Sequence, residues 1–170
     1  PDLAGAVTIT ELSSVAGTTI VIEGSSTLTV DNGSAQTIAG VISGSGSLIK
    51  SSAGTLTLSG TNTYSGTTNI NAGTLAVDGE IGNGGPAGTV TIGSSGTLSG
   101  SGTVNAPILA TTVGATITAT GNLTLGDAST SSGFAFTGTL NVGNHTVTIN
   151  DSNTASIGRS TVLASGALTA

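Results

Sequence analysis

The sequence predicts an all-β protein folded as a single parallel β-solenoid, and three observations carry this prediction. Apolar residues alternate with Thr, Ser and Asn in short runs such as Thr55-Leu-Thr-Leu58, which is the period-two pattern of half-buried strands. Glycine separates these runs and accounts for 28 of the 170 residues. The apolar centres recur about every 8 to 14 residues, the spacing expected for two or three strands in each coil of a repeat protein.

Residues 44–77 are the clearest example of such a coil. Their alternation predicts that one set of side chains points into the core and the other points outward. The expected inward residues are Leu56, Leu58, Ile70, Leu75 and Val77, and the expected outward residues are Thr55, Thr57 and Asn69. The glycines at the corners are expected to supply positive φ angles, which residues with a Cβ resist. These corner glycines are Gly44, Gly46, Gly54, Gly60, Gly66 and Gly73.

The other strands follow in order along the chain. Before the central coil, strands are predicted at residues 7–11, 18–23, 26–31 and 37–42. Residues 79–88 contain five glycines and a proline, so we predict a protruding loop there instead of a ladder strand. Strands at 89–92, 96–98, 103–108, 116–118 and 122–125 then precede a second loop at 127–133. Phe134 and Phe136 share one face of one strand, and strands at 139–142, 145–150, 156–157 and 161–163 complete the chain.

We predict one domain over residues 1–170, because the composition does not change midway. If each coil takes about 20 residues, the chain forms about 8 coils, and a strand spacing of ~4.8 Å makes the solenoid about 40 Å tall. A sandwich of antiparallel hairpins is the competing fold, since it also has short strands at regular spacing. The lack of charged outward residues favours the solenoid.

Three segments of the central coil carry a family resemblance: Gly54-Thr-Leu-Thr-Leu-Ser-Gly60, Asn62-Thr-Tyr-Ser-Gly-Thr-Thr68 and Ala72-Gly-Thr-Leu-Ala-Val77. Together they resemble the passenger-associated repeat of bacterial autotransporter proteins. Leu48 and Lys50 fit the repeat as well, so that about 34 of the 170 residues are covered. The resemblance implies a right-handed parallel β-helix displayed outside the cell. It implies no particular ligand, because one architecture can carry many activities.

The composition excludes several classes of protein. Charged residues are 6 % of the chain, against about 25 % in globular domains, yet 36 % of residues are hydrophobic, which is too many for a disordered chain. The formal net charge is −6, and Lys50 and Arg159 are the only fixed cations, so we exclude nucleic acid as a partner. Cys is absent, which excludes disulfides and thiolate metal sites.

No apolar run approaches the roughly 20 residues of a membrane-spanning helix, so we expect no transmembrane segment. The chain begins at Pro1 and contains no Met, and we therefore expect that a leader or flanking sequence has been removed.

The residues that could carry chemistry are few. His145 is the only histidine and lies at a predicted turn before a strand, where an exposed polar residue is the favoured interpretation; one imidazole cannot form a zinc cluster. Asp78 with Glu80, and Asp127 and Asp151, could act as paired carboxylates on a sugar. Each lies at a predicted turn, where a structural role is favoured. We expect no cofactor and no metal, although a weak calcium site at Asp78 and Glu80 stays open.

Thr-x-Thr pairs recur along the chain. If they stacked in register, they would form a flat threonine surface like that of ice-binding solenoids. The pairs are separated by 19, 28, 34, 27 and 30 residues, and this irregular spacing argues against a single ladder. Threonine is also a good strand former, which explains its abundance without a ligand. The pairs are Thr8/Thr10, Thr27/Thr29, Thr55/Thr57, Thr89/Thr91, Thr116/Thr118 and Thr146/Thr148.

We therefore expect a structural, non-catalytic solenoid outside a bacterial cell that assembles end to end with further copies of itself, because the free ends of a solenoid expose unpaired strand groups. A monomeric stalk or adhesin passenger segment is the alternative, with ice binding or polysaccharide cleavage as minor ones. Host or surface glycans are a further expected partner. The residues expected at the assembly contact are Pro1, Asp2, Leu3, Ala4, Val7, Ile9, Leu12, Leu163 and Leu168.

Overall fold

The computed structural model describes residues 5–82, 88–110, 114–126 and 134–149, together with the backbone of strands at 2–3, 156–157, 161–164 and 167–169. These residues form strands and turns with no helix. Every strand pairing in this part of the chain is parallel. The all-β parallel solenoid predicted from the sequence is confirmed, and the antiparallel sandwich is excluded.

The strands follow one another in short steps. The first eight are β1 (Asp2–Leu3), β2 (Ala6–Ile9), β3 (Thr19–Ile22), β4 (Thr27–Val30), β5 (Gln36–Ile38), β6 (Val41–Ser43), β7 (Ser47–Lys50) and β8 (Thr55–Leu58). The next seven are β9 (Thr61–Asn62), β10 (Thr68–Val77), β11 (Glu80–Ile81), β12 (Val90–Gly100), β13 (Thr103–Val104), β14 (Ile108–Ala110) and β15 (Thr116–Ala119). The last seven are β16 (Leu123–Leu125), β17 (Phe134–Phe136), β18 (Thr139–Gly143), β19 (Thr146–Ile149), β20 (Ser156–Ile157), β21 (Thr161–Ala164) and β22 (Ala167–Thr169).

These strands stack into three faces. Face A is the row β2-β4-β7-β10-β12-β14-β17-β20. Face B is the row β5-β8-β10-β12-β15-β18-β21, in which the second halves of the long strands β10 and β12 take part. Face C consists of the short ladder β1-β3-β6 and the longer ladder β9-β11-β13-β16-β19-β22. Most turns of the chain therefore place strand residues on each of the three faces.

The number of complete turns is about six, somewhat fewer than the eight predicted. Face A contains eight stacked strands and face B contains seven, so not every turn has a strand on all three faces. The turns also differ in length. The register advances by 21 residues from Ala6 to Thr27, by 18 from Val90 to Ile108 and by 26 from Ile108 to Phe134.

The core is a column of aliphatic side chains along the solenoid axis. Leu56, Leu58, Ile70, Leu75 and Val77 are all 0 % exposed, which confirms the predicted inward set. The outward set Thr55, Thr57 and Asn69 is half-buried, as its strand positions require. Phe134 and Phe136 lie together in the core, with ring centroids 6.1 Å apart, as their shared strand face predicts. Stacked apolar residues of this kind bury their surface against the coils above and below.

Glycines stack in columns at the corners between faces. A Cβ on Gly60 would contact the carbonyl oxygen of Gly40, one on Gly79 would contact that of Gly60, and one on Gly102 would contact that of Gly79. A Cβ on Gly54 would lie 2.5 Å from the carbonyl oxygen of Ser34. Because a backbone atom occupies the space, no side chain fits at these positions.

The predicted reason for the corner glycines is therefore correct only in part. Gly44 and Gly73 have positive φ angles of 101° and 69°. The other four corner glycines of the central coil do not have positive φ; a Cβ on each would collide with the preceding coil. They are Gly46, Gly54, Gly60 and Gly66.

Two segments differ from the sequence prediction. The run 37–42 is divided between β5 on face B and β6 on face C, because the chain turns at Gly40, where a Cβ would contact Thr18. Within 79–88, Glu80–Ile81 forms a ladder strand paired with Thr61–Asn62 and Thr103–Val104, so the prediction of a loop is wrong for these two residues. Residues 83–87 lie outside the described part, and a protruding loop there stays a prediction. The second predicted loop, 127–133, also lies outside it.

Face C is interrupted between β6 and β9, and the side chain of Asn62 connects the two ladders. Asn62 is fully buried. Its Oδ1 accepts a hydrogen bond from the backbone N–H of Ile42 at 2.9 Å, and its Nδ2 donates to the carbonyl oxygens of Gly60 and Glu80, both at 3.0 Å. One side-chain amide thus bonds the backbone of three successive coils, which satisfies groups that would otherwise be buried without partners.

Candidate functional surfaces

The residues predicted for the assembly contact lie at opposite ends of the solenoid. Asp2 and Leu3 pair with β3 of the same chain, and β2, which contains Val7 and Ile9, pairs with β4. Among the described strands β2 has no partner on its other side. Leu163 and Leu168 lie in β21 and β22, which pair with β18 and β19. Pro1 and Ala4 lie outside the described residues.

A cavity of about 620 Å³ opens at the first coil. Among the described strands, face B has none before β5, although a single parallel bridge joins Ser14 and Ile38. The cavity occupies this position, and Leu12 on its wall packs against the core. Val15 is 72 % exposed and is one of two exposed large hydrophobic residues in the described part of the chain. The lining residues are Leu12, Ser13, Ser14, Val15, Thr18, Thr19, Ile20 and Thr37.

Lys50 is the buried charge of the described core. It ends β7 on face A, is 0 % exposed, and is in register with Val30 and Ile70 of the adjacent coils. Its Nζ donates hydrogen bonds to the carbonyl oxygens of Ser52 and Ala72. Burial lowers the pKa of Lys50 below its ordinary value of 10.5, although the nearby carboxylate of Asp31 partly offsets this shift.

Asp31 lies at the same corner, one coil before Lys50. Its Oδ1 accepts hydrogen bonds from the hydroxyls of Ser52 and Ser51. These two hydrogen bonds lower the pKa of Asp31 below its ordinary value, and Lys50 contributes in the same direction. Asn32 is buried beside it, with Nδ2 bonded to the carbonyl oxygens of Ser34 and Thr55 and with no partner for Oδ1. The sequence prediction treated Lys50 as an ordinary cation and missed this polar corner.

The residues considered for acid–base chemistry do not form a site. Asp78 is exposed, and its Oδ1 accepts hydrogen bonds from the N–H and hydroxyl of Ser101 in the next coil, both at 3.2 Å. Glu80 lies in strand β11, not at a turn as predicted. His145 is half-buried, not exposed. Its backbone N–H donates a hydrogen bond to the carbonyl oxygen of Val142 at 3.2 Å. Asp127 and Asp151 lie outside the described residues.

Two further findings bear on the classes of function. Among the residues that the structure describes, no three His, Cys, Asp or Glu side chains come close enough together to hold a metal ion. In the same residues no helix has the length and apolar character needed to cross a membrane.

Face B carries a threonine ladder that the sequence prediction argued against. Thr55 is in register with Thr74, Thr74 with Thr97, Thr97 with Thr116, and Thr116 with Thr139, and the backbone register continues to Thr161. The spacing of the Thr-x-Thr pairs along the sequence did not predict this ladder, for two reasons. The turns differ in length, and some coils contribute only one threonine of the pair. The threonine ladder is defined here as Thr55, Thr74, Thr97, Thr116 and Thr139.

One segment near the centre of the solenoid matches a known protein family. Residues 48–77 match the family described as passenger-associated-transport-repeat. The matched segment contains most of β7, all of β8 and β9, and β10, and so includes strands on all three faces. Residues 48–77 are therefore similar to a passenger-associated-transport-repeat. This repeat occupies one turn of the solenoid and the start of the next, and the register of β7 and β10 joins it to the coils on either side.

The chain is also similar to one curated protein whose name describes an autotransporter. The chain is 41 % identical over 64 residues to the adhesin BmaC autotransporter of Brucella suis biovar 1 (strain 1330). The aligned residues are 37 % of this chain and 2 % of that adhesin, so the chain spans a very small part of the relative. No solved structure matches the chain.

Proposed function

We propose that the chain is a structural, non-catalytic segment of an autotransporter adhesin passenger, displayed on or released from the surface of a bacterial cell. The observation that carries this proposal is the position of the passenger repeat at residues 48–77. The repeat is not an appended module, since its strands pair in register with coils before and after it. The relative named as an autotransporter adhesin supports the same role.

Surface display is tested by placing residues 1–170 between a secretion signal and an autotransporter translocator in a Gram-negative host. We expect antibodies to label the chain on intact cells, and external protease to remove it. A chain that stays inside the cell while an unrelated passenger is displayed from the same vector would contradict the proposal.

The absence of catalysis is part of this proposal and has a separate test. Asp78 and Glu80 are engaged in the coil structure, which supports a structural role. Purified chain incubated with neutral and anionic polysaccharides should release no new reducing or unsaturated ends. Cleavage that disappears in Asp78→Asn, Glu80→Gln or His145→Ala variants would overturn it.

End-to-end association is a second candidate function, and the open first coil favours it. On face A the edge of β2 is unpaired among the described strands, and the apolar residues Leu12, Val15 and Ile20 line the cavity beside the start of face B. Stacking the last coil of one copy on this end would pair the free strand groups and cover the cavity. Such a head-to-tail contact does not close on itself and would grow a fibre.

Light scattering at rising protein concentration, followed by electron microscopy, tests the association. We expect rods with an axial repeat of about 40 Å, because face A stacks eight strands at a spacing of ~4.8 Å. Deletion of residues 1–12 should leave folded monomers. Intact chain that stays monomeric at high concentration would refute association, while the passenger role would stand.

A further inference from the structure

We propose that the threonine ladder of face B is an ice-binding surface. The ligand would be a lattice of ordered water, held by hydroxyl and methyl groups that repeat at the strand spacing. The proposal rests on the register and composition of face B and does not depend on the passenger role. It reverses the inference drawn from the irregular Thr-x-Thr spacing.

The geometry of face B is a regular grid. Successive members of the threonine ladder are direct register partners, so they repeat at the ~4.8 Å spacing of neighbouring strands. The residues that alternate with them are Leu56, Leu75, Leu98, Ile117 and Leu140, all 0 % exposed, which places the threonines on the outer side. A second outward column lies two residues further along each strand, about 6.8 Å away. It contains Thr57, Ala76, Ser99, Thr118 and Asn141, of which Ser99 is buried.

The chemistry of face B suits a periodic, uncharged ligand. From β8 to β18 its two outward columns contain only Thr, Ser, Ala and Asn, with no charged side chain. Threonine has few side-chain rotamers, so a ladder of threonines presents its hydroxyls in a narrow range of positions. The oxygen rows at the surface of hexagonal ice repeat at a distance close to the strand spacing. Many weak contacts of equal spacing can therefore form together on ice, which a mobile or charged surface does not permit.

The other two faces lack this combination. On face C, Thr61, Thr103, Thr124 and Thr148 occupy one outward column, but Glu80 interrupts it between Thr61 and Thr103. The interruption leaves three adjacent threonines, against five on face B. On face A the corresponding outward column includes Ile49, Asn69 and Leu109, so it is not a row of threonines. Leu109 is 40 % exposed. Face C therefore supplies a matched control, since it offers threonines of similar exposure on the same solenoid.

The experiment measures how the purified chain partitions between growing polycrystalline ice and the remaining liquid. We expect the intact chain to be enriched in the ice and to slow ice recrystallisation. The double variant Thr97→Lys/Thr116→Lys on face B should be excluded from ice like an inert protein. The double variant Thr103→Lys/Thr124→Lys on face C adds the same charge and should partition like the intact chain.

Circular dichroism melts of all three proteins would show whether the variants stay folded. If a lysine variant of face B unfolds, Thr97→Val/Thr116→Val removes the hydroxyls while keeping the shape, and its partition decides the question. Exclusion of the intact chain from ice would overturn the proposal. So would an equal loss of ice partition in folded variants of faces B and C.

Discussion

At the scale of single residues, the alternation of side chains predicts burial well, and it does so even where the residue type disagrees. Lys50 and Leu48 are two residues apart on the same side of strand β7, and both are fully buried on face A. The alternation along β7 thus places Lys50 inward, although an isolated buried ammonium is costly. What the sequence could not show is the pair of carbonyl oxygens, from Ser52 and Ala72, that accept its hydrogen bonds.

Leu56 tests the aliphatic column directly. It is 0 % exposed and is in register with Leu75. Leu56→Asp should lower the free energy of unfolding by more than about 4 kcal/mol, since it buries an unpaired charge. The neighbouring outward change Thr57→Asp should cost much less. Thermal or urea unfolding measures both, and equal effects would mean that Leu56 is not core.

Lys50 predicts how stability varies with pH. Its pKa is lowered by burial in the folded chain, so the unfolded chain holds the proton more tightly at alkaline pH. Stability should therefore rise as the pH increases toward the ordinary value of 10.5. Lys50→Met, which removes the buried charge but keeps most of the volume, should abolish this rise. A rise of the same size in the Lys50→Met variant would contradict the assignment.

Tyr64 predicts the opposite trend at higher pH. It is fully buried, its hydroxyl is bonded to that of Thr68 at 2.6 Å, and burial raises its pKa above the ordinary value of 10.0. The unfolded chain then loses this proton first, so stability should fall as the pH rises above about 10. Melting temperatures recorded across this range should show a maximum. Tyr64→Phe should remove the fall, and Lys50→Met should leave it in place.

At the scale of elements, the sequence predicted where strands lie better than how they are arranged. Strands near 19–22, 27–30 and 55–58 were placed within about one residue of their observed bounds, because alternation fixes them locally. The division of 37–42 between two faces and the pairing of Glu80–Ile81 depend on contacts with neighbouring coils, which no local pattern contains. The threonine ladder was missed for the same reason, since turns of 18 to 26 residues separate residues that are direct partners.

The glycine columns predict which corner glycines can be replaced without loss of stability. A Cβ on Gly60 would meet the carbonyl oxygen of Gly40, whereas one on Gly33 would meet nothing within 4 Å. Gly60→Ala should therefore destabilise the solenoid by about 1–3 kcal/mol through overpacking against backbone. Gly33→Ala should change stability by less than about 1 kcal/mol, because it only restricts the unfolded chain. Chemical unfolding of the two variants compares them, and similar losses would show that space at the corner is not the cause.

At the scale of the whole molecule, the chain is a rod whose contacts run almost entirely between adjacent coils. The sequence predicted this architecture because its short strands, corner glycines and low charge all agree with one fold. The number of complete turns is slightly below the predicted eight, because the first turn has only the bridge of Ser14 on face B and no strand there. The candidate surfaces were less predictable, because they depend on register, which only the stacked structure reveals.

The glycine columns also bear on how such a chain can change length over evolutionary time. Gly40, Gly60, Gly79 and Gly102 each stand one coil apart, and every one after the first lies against the backbone of the glycine before it. Recombination that duplicates or removes a complete coil leaves each corner glycine stacked on a glycine of the preceding coil. Recombination that inserts part of a coil places a side chain against a carbonyl oxygen instead. Selection on folding alone would therefore let the gene grow and shrink in steps of one turn.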